Sequence, residues 1–403
     1  MTHGRLGAGR AQTPAAGGFR MPAEWEPHRA TWLIWPHNRA DWDVKTSAVE
    51  WCFVDMVRHL VRGERVGLVC QTTAVARRAE RRLARGGVDL AAVDRLVTAT
   101  DRSWIRDSGP IFISRPAGGT LHEVAATDWR FTGWARYPAC RRDDALPRRL
   151  SRHLGVHRFA PTVRIGGRRR RMVLEGGSID VNGEGLLLTT EACLLGKAQA
   201  RNPGATRDEL EKSLRSHLGV RRVLWLGDGI AGDDTHGHVD DVARFVAPDV
   251  VVAAWEEDVA DVNHAPLADN LARLRAVRDL KGRPLRVVAL PMPRPIRFDD
   301  VRLPASYLNF YIANRVVLVP TFNDPADRVA LDRLAFLFPD REVVGIHAGD
   351  LILGLGAIHC VTQQEPAGLP PAADEASAEG RERGARIRRG AGRDQKISTR
   401  SVS

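Results

Sequence analysis

The chain has 403 residues, 43 % apolar and 27 % charged, with a formal net charge of +11. Those proportions exclude a wholly disordered chain, and no apolar run nears the ~20 residues of a membrane span. The stretch Met1–Gly18 lacks the apolar segment of a secretory signal, so a reducing cytoplasm is the expected compartment. The charge is uneven. Residues 1–20 carry +3 and 367–403 carry +3, while Arg141–Arg171 hold eleven arginines against two aspartates, which leaves the rest of 21–366 at −4. Only five of the 60 basic residues are lysine, so an arginine bias accounts for much of this and no nucleic-acid partner is expected. The cysteines Cys52, Cys70, Cys140, Cys193 and Cys360 are scattered without CxxC spacing, suggesting neither a disulfide framework nor a cysteine zinc site.

In chain order, residues 1–20 read as a disordered extension, with Met21 an alternative start to Met1. Helices are expected over Val49–Val61, Ala74–Arg85, Arg207–His217 and Ala268–Val277. Between them strand–turn–strand units recur. Ile111–Ile113 leads to Thr120–Ala125, and Ser178–Val181 leads through an Asn182-Gly183 hairpin turn to Leu186–Thr190. Ala243–Val246 leads to Val250–Trp255, and Leu308–Ile312 to Val316–Val319. The markers Phe112, Asp180, Phe245 and Phe310 are spaced by 68, 65 and 65 residues. Five such units would fill about 330 residues, nearly all of 21–366. The spacing therefore predicts an α/β chain built as one ring of five small units, with a site on its axis, in place of the two or three domains that length alone suggests. Residues 367–403 read as a disordered basic tail.

Polar segments unsuited to a core precede the first strand of several units: Trp104–Pro110, Leu174–Gly177, Asp233–Asp241 and Gly354–Cys360. If the units repeat, these segments converge. Cys360 follows Gly354 and Gly356 and precedes a polar run, a setting for a nucleophilic thiol rather than an inert core cysteine. His238 and Asp240, two apart on a strand, would face one ligand, the imidazole for proton transfer and the carboxylate for a guanidinium. Glu175, before Gly176-Gly177, and Asp107, in a turn-rich segment, add two carboxylates. Three acids around a thiol and an imidazole imply a positively charged substrate. The competing metal-hydrolase reading rests on Thr235–Asp241 (THGHVDD), where Asp241 stands in place of the last histidine of a THxHxDH motif. His264, His347 and His359 lack matching contexts, so no metal is expected.

The strings MPAEWEPH (Met21–His28), WIRDSGP (Trp104–Pro110), EGGS (Glu175–Ser178), GHVDD (Gly237–Asp241) and AIHCVTQQ (Ala357–Gln364) resemble, in order, the motifs of agmatine deiminases. That family includes the prokaryotic-type peptidylarginine deiminases and belongs to the guanidino-group-modifying superfamily. The resemblance covers 21–366. It implies a pentein-like five-bladed pseudo-symmetric α/β propeller, and hydrolysis of agmatine to N-carbamoylputrescine and ammonia in putrescine synthesis, or of arginine or peptidylarginine instead. It assigns Cys360 as nucleophile and His238 as general acid/base. Glu175 would support that histidine and contact the guanidinium, with Asp107 and Asp240 as guanidinium holders and Trp104 as a further substrate contact. It implies no cofactor and no metal, a small cationic guanidino substrate, no membrane partner, and is compatible with a homo-oligomer. Two departures stand out. Leu355 interrupts a run that is usually all glycine, with strain expected if its φ is positive. Phe131–Arg136 (FTGWAR) replaces the more usual FNAWGG, so a different pocket for the substrate's tail is expected. Asp101, Asp128, Asp233 and Asp324 lie near the motifs as candidates to hold a distal amine.

Overall fold

The computed structural model describes residues 13–369. Long apolar runs become strands buried on both faces, as in Leu186–Thr190 and Val316–Thr321. These strands organise five sheets with one repeated pattern: an antiparallel pair, then a helical crossover to a parallel strand.

Ile111–Gly118 pairs antiparallel with Leu121–Thr127, which pairs parallel with His157–Phe159. Asp180–Val181, Leu186–Thr190 and Arg222–Leu226 follow the same order. So do Ala243–Ala247, Val250–Trp255 and Arg286–Pro291, and then Tyr311–Ile312, Val316–Thr321 and Glu342–His347. The remaining sheet joins the two ends of the chain: Gln363–Pro366 pairs antiparallel with His28–Ile34, which pairs parallel with Arg65–Cys70, and Val93–Val97 adds a fourth strand.

The crossovers carry the helices Thr46–Leu60, Leu146–Leu154, Arg207–Leu218, His264–Ala276 and Ala326–Leu337. Thr46–Leu60 buries Val49, Phe53, Val57 and Leu60, one apolar stripe at helical spacing. Arg207–Leu218 begins at a Thr206/Glu209 capping box and ends at Gly219 with φ 68°. The four expected helices form within a few residues of their predicted ends. The helices Leu146–Leu154 and Ala326–Leu337 were not predicted. In the former, Leu146 and Leu150 form the buried face of a segment otherwise crowded with arginine.

Three details correct the sequence reading. The segment before residue 21 is packed from Thr13: Phe19 is 5 % exposed, and the Arg20 N–H donates to the Ser114 carbonyl at 2.9 Å. At the other end Leu369 N–H donates to the His122 carbonyl at 2.8 Å. Residues 1–12 and 370–403, where the rest of the expected tails falls, lie outside the described residues. The hairpin after Val181 is not a two-residue turn. The Asn182 N–H donates to the Leu186 carbonyl, and the Asn182 side chain accepts from Glu184 and Leu186, so residues 183–185 form the loop. Within the arginine-rich stretch, Thr162–Ile165 and Arg168–Arg171 form a separate hairpin whose second strand is exposed throughout.

Candidate active site

The four polar segments singled out in the sequence lead into four of the five sheets. Single helical turns at Ile105–Ser108, Gly176–Ser178 and Val239–Asp241 lie just before the strands that start at Ile111, Asp180 and Ala243. Leu351–Gly354 leads toward Gln363–Pro366. His238 and Asp240 therefore do not share a strand face as expected. His238 has extended backbone at φ −59° and ψ 137°, and a helical turn follows it. The turn nevertheless brings both side chains to one place.

That place holds all five expected residues. His238 Nε2 lies 3.6 Å from Glu175 Oε2, and its Nδ1 lies 3.8 Å from Asp107 Oδ1 and 4.0 Å from Asp240 Oδ1. Cys360 Sγ lies 3.9 Å from Asp240 Oδ2. Gly177 makes this convergence possible: a Cβ there would lie 2.6 Å from His238 Nδ1, 2.9 Å from Asp107 Oδ1 and 3.0 Å from Asp240 Oδ2. Its N–H also donates to Asp107 Oδ1 at 3.0 Å. Cys360, Asp107 and Trp104 line a cleft of about 150 Å³, enough for a small ligand, and no residue of Arg141–Arg171 lines it. Among the described residues, both ring nitrogens of His238 and Asp240 Oδ1 are buried without a hydrogen-bond partner.

Charge and burial compete throughout the site. Burial pushes the Cys360 thiol well above its ordinary range, and Asp240, Asp241 and Asp107 push it the same way. Burial likewise raises Asp107, against the pull of His238 and with Asp240 and Glu175 adding to it. Burial opposes a charge on His238, yet the Asp107 carboxylate and the contacts with Cys193 and Glu175 outweigh it and hold the imidazole well above its usual range. Burial also opposes ionisation of Glu175, but Arg201 and His238 keep its carboxyl below the ordinary range.

Several participants were not foreseen. Arg201 and Glu175 form an ion pair with both side chains 0 % exposed, Nε lying 3.3 and 3.2 Å from the two carboxylate oxygens. Asn309 donates to Cys360 Sγ at 3.2 Å and to Asp241 Oδ1 at 3.0 Å, and its own Oδ1 accepts from His359 N–H. His359 bridges Asp240 and Glu24 at 2.7 and 2.9 Å. Glu24 in turn pairs with Arg244 and Arg106. Cys193, expected to be inert, packs beside His238. Its Sγ and one donor atom each of Glu175 and His238 lie within 4.8 Å of one another, where Arg201 already balances the carboxylate. The histidines of the metal reading disperse: His264 bonds the Glu256 carbonyl, and His347 is exposed.

The departures also take shape. Leu355 has φ 68°, the left-handed region in which a leucine is strained. Its neighbours must be glycine, because a Cβ at Gly354 would lie 2.5 Å from Trp42 Nε1 and one at Gly356 2.7 Å from the Trp104 ring. In the FTGWAR segment, Trp134 Nε1 donates to Asp107 Oδ2 at 2.9 Å, and Arg136 pairs with Asp234 at 2.8 Å. Asp101, Asp128, Asp233 and Asp324 do not line the cleft, whereas Asp41 and Asp234 do. Asp128 pairs with Arg158 and Arg171, and Asp233 accepts from the backbone of Thr235, Gly237 and His238.

A thiol, an imidazole and converging carboxylates, set before the first strands of repeated α/β sheets, suit nucleophilic attack on a cationic carbon, and the relatives make the protein a hydrolase of C–N bonds. The model of the Porphyromonas-type peptidyl-arginine deiminase family matches residues 20–366, and the chain belongs to that family. It is 37 % identical over 378 residues to the agmatine deiminase of Ectopseudomonas mendocina, covering 88 % of this chain and 97 % of that one. It is 36 % identical, with the same coverage, to the agmatine deiminase of Pseudomonas aeruginosa. The solved agmatine deiminase of Enterococcus faecalis matches with a TM-score of 0.80 at 33 % identity, covering 88 % of this chain and 97 % of that one. The resemblance read from the five motifs thus holds over the folded chain. No helix among the described residues is long and apolar enough to cross a membrane.

Proposed function

We propose that the protein is a cytoplasmic agmatine deiminase whose five sheets close into a ring around the Cys360 site. The repeated sheet pattern and the pairing of the last strand with the first support the ring. One observation carries the chemistry: Cys360, His238, Glu175, Asp107 and Asp240 cluster at one place, where Cys360 and Asp107 line a cleft and Asp240 Oδ1 has no hydrogen-bond partner among the described residues. Asp240 Oδ1 and the carboxylate of Asp107 suit the N–H groups of a guanidinium, whose central carbon would then face Cys360 Sγ. The substrate's charge would draw the thiol toward thiolate.

The thiolate adds to the guanidinium carbon. His238 donates its proton to one nitrogen, the C–N bond breaks and ammonia leaves, giving a thiouronium on Cys360. His238, now neutral, takes a proton from water. The resulting hydroxide adds to the same carbon, the C–S bond of that adduct breaks as its hydroxyl proton passes to solvent, and thiolate and a neutral ureido product are released, leaving His238 protonated for the next turnover. Fixing the reacting carbon against the sulfur contributes several kcal/mol, about what comparable proximity effects reach. With agmatine the products are N-carbamoylputrescine and ammonia, which suits a step in putrescine synthesis.

The test is ammonia and carbamoylputrescine release from agmatine, with Cys360→Ser as control. Turnover of arginine or a peptidylarginine, with none of agmatine, would move the substrate while keeping the chemistry. Unaltered activity in Cys360→Ser would refute the covalent route.

A further inference from the structure

His359 lies outside the residues assigned to the reaction, yet its ring joins one of them to a second buried acid. Nδ1 lies 2.7 Å from Asp240 Oδ2, and Nε2 lies 2.9 Å from Glu24 Oε2. Contacts this short each need a hydrogen between nitrogen and oxygen. A neutral imidazole brings only one, so a second hydrogen belongs to this trio. Glu24 has no room for it. Its Oε1 accepts from Arg244 and from the Ile312 N–H, both at 2.8 Å, and its Oε2 accepts from Arg106 at 3.2 Å besides His359. These donors fill the roughly four acceptor positions of a carboxylate. The second hydrogen is therefore shared between His359 and Asp240. The backbone beside the ring is pinned as well: Asn309 Oδ1 accepts from the His359 N–H at 3.0 Å, and the His359 carbonyl accepts from Arg106 Nε at 3.3 Å.

This arrangement decides which oxygen of Asp240 is left over. The ring takes Oδ2, whereas Oδ1 has no partner among the described residues and lies 4.0 Å from His238 Nδ1. His359, His238 and Arg244 act on Asp240 as positive groups. Asp107, Asp241 and the Cys360 thiol stand close enough to feel its negative charge. Burial opposes ionisation of Asp240, and the hydrogen bond and charge of His359 do most to overcome it, holding the carboxyl below its ordinary range.

We propose that His359 is a positioning residue: anchored on Glu24, it holds Asp240 as an anion by Oδ2 and so reserves Oδ1 for an N–H of the guanidinium that Cys360 attacks. This rests on the guanidine deiminase reading and adds to it a residue that acts through Asp240. Glu24 is the fixed point of the device, because Arg244 and Arg106 keep it charged and in place.

Two amide replacements separate this role from the filling of space. In His359→Asn the side-chain nitrogen takes the place of Nδ1 and keeps a donor for Asp240. In His359→Gln it takes the place of Nε2 and keeps only the contact with Glu24. Ammonia release from agmatine is followed from about pH 5 to pH 9, with circular dichroism checking the fold. His359→Gln removes the main support of the Asp240 charge, so the carboxyl rises and the acidic limb of kcat/KM is expected to move to higher pH by at least about one unit, a tenfold loss at a pH on that limb. His359→Asn, a neutral donor, is expected to move it upward by less, and if only one variant folds its limb must still rise. A limb that stays in place, a uniform loss at every pH, or a shift in His359→Asn as large as in His359→Gln overturns the proposal. So does loss of the fold in both variants, which would make the bridge structural. If the unaltered enzyme releases ammonia from no guanidine at all, the deiminase reading fails first; turnover without these shifts sinks the proposal alone.

Discussion

The Arg201–Glu175 pair gives a direct measure of how much charge compensation the centre requires. Replacing Arg201 with Met keeps an apolar stem and removes the cation. Glu175 is then left as a buried carboxylate near Asp107, with His238 at 3.6 Å as the positive group beside it. Both members of the pair are 0 % exposed, so solvent screening cannot soften the loss. Removing one partner of a buried pair costs about 3–5 kcal/mol. Arg201 also donates to the carbonyls of Gln199 and Thr235, which lose their partner as well. Arg201→Met should therefore lose stability in the upper part of that range near neutral pH.

The pH dependence has a definite sign. In the unaltered protein the Glu175 carboxyl is held below its ordinary range, so its contribution is fully present above the unfolded pKa of about 4.3 and fades only as pH falls below it. In Arg201→Met burial acts with less opposition and raises the carboxyl. The destabilisation should be greatest near pH 7.5 and shrink toward about pH 5 as Glu175 takes up a proton. Urea unfolding followed by tryptophan fluorescence at both pH values reads the difference. Adding Glu175→Gln to the Arg201→Met variant should recover more than half of the loss by removing the orphaned charge. A loss below about 1 kcal/mol, or one that does not change with pH, would refute the reasoning.

Gly177→Ala should cut kcat by about 100-fold, because the added methyl displaces His238 and Asp107 from the reacting geometry; a kcat within about threefold of the unaltered enzyme would show that the cluster tolerates the shift. Alkylation of Cys360 by iodoacetamide in the substrate-free enzyme should be slow near neutral pH and keep rising above about pH 9, because burial, followed by Asp240, Asp241 and Asp107, raises the thiol. A rate that plateaus below about pH 8 would mean the thiolate forms without substrate.

The sequence was most readable where a feature is local. Apolar runs and the near-equal spacing of Phe112, Asp180, Phe245 and Phe310 were enough to lay out the repeating units. The strain anticipated at Leu355 is present as a positive φ. Leu146–Leu154 was hidden because its leucines lie among arginines, and only their four-residue spacing marks a buried face. Within the site, the segments rich in Gly, Asp and His stood out as unfit for a core. Asn309 did not, being the one non-aromatic polar side chain in the run Tyr307–Ile312. The repeat itself could have found it: Ser306–Asn309 precedes Tyr311–Ile312 as His238–Asp241 precedes Ala243–Ala247. Arg201, Glu24 and Arg244 were beyond reach of local reasoning. Their partners are distant in sequence, and an arginine that neutralises a buried acid looks like any other in a chain so rich in arginine.

The directions of the shifts mark where the site is short of positive charge. Asp107, Asp241 and Cys360 are all raised, so each holds its proton more tightly than it would in water. Arg201 and His238 satisfy Glu175, and His359 helps hold Asp240 below its usual range against burial, whereas at Asp107 and Asp241 the pull of His238 does not overcome burial. A bound cation changes that balance. It favours the charged form of Asp107 and the thiolate of Cys360 together, so substrate uptake is coupled to proton release and the nucleophile is generated where it is used. A neutral ligand of the same shape could fill the cleft without producing a thiolate. On the proposed reading, the acids around Cys360 would therefore discriminate twice, once in binding a guanidinium and again in leaving the thiol unreactive toward anything that does not bring a positive charge.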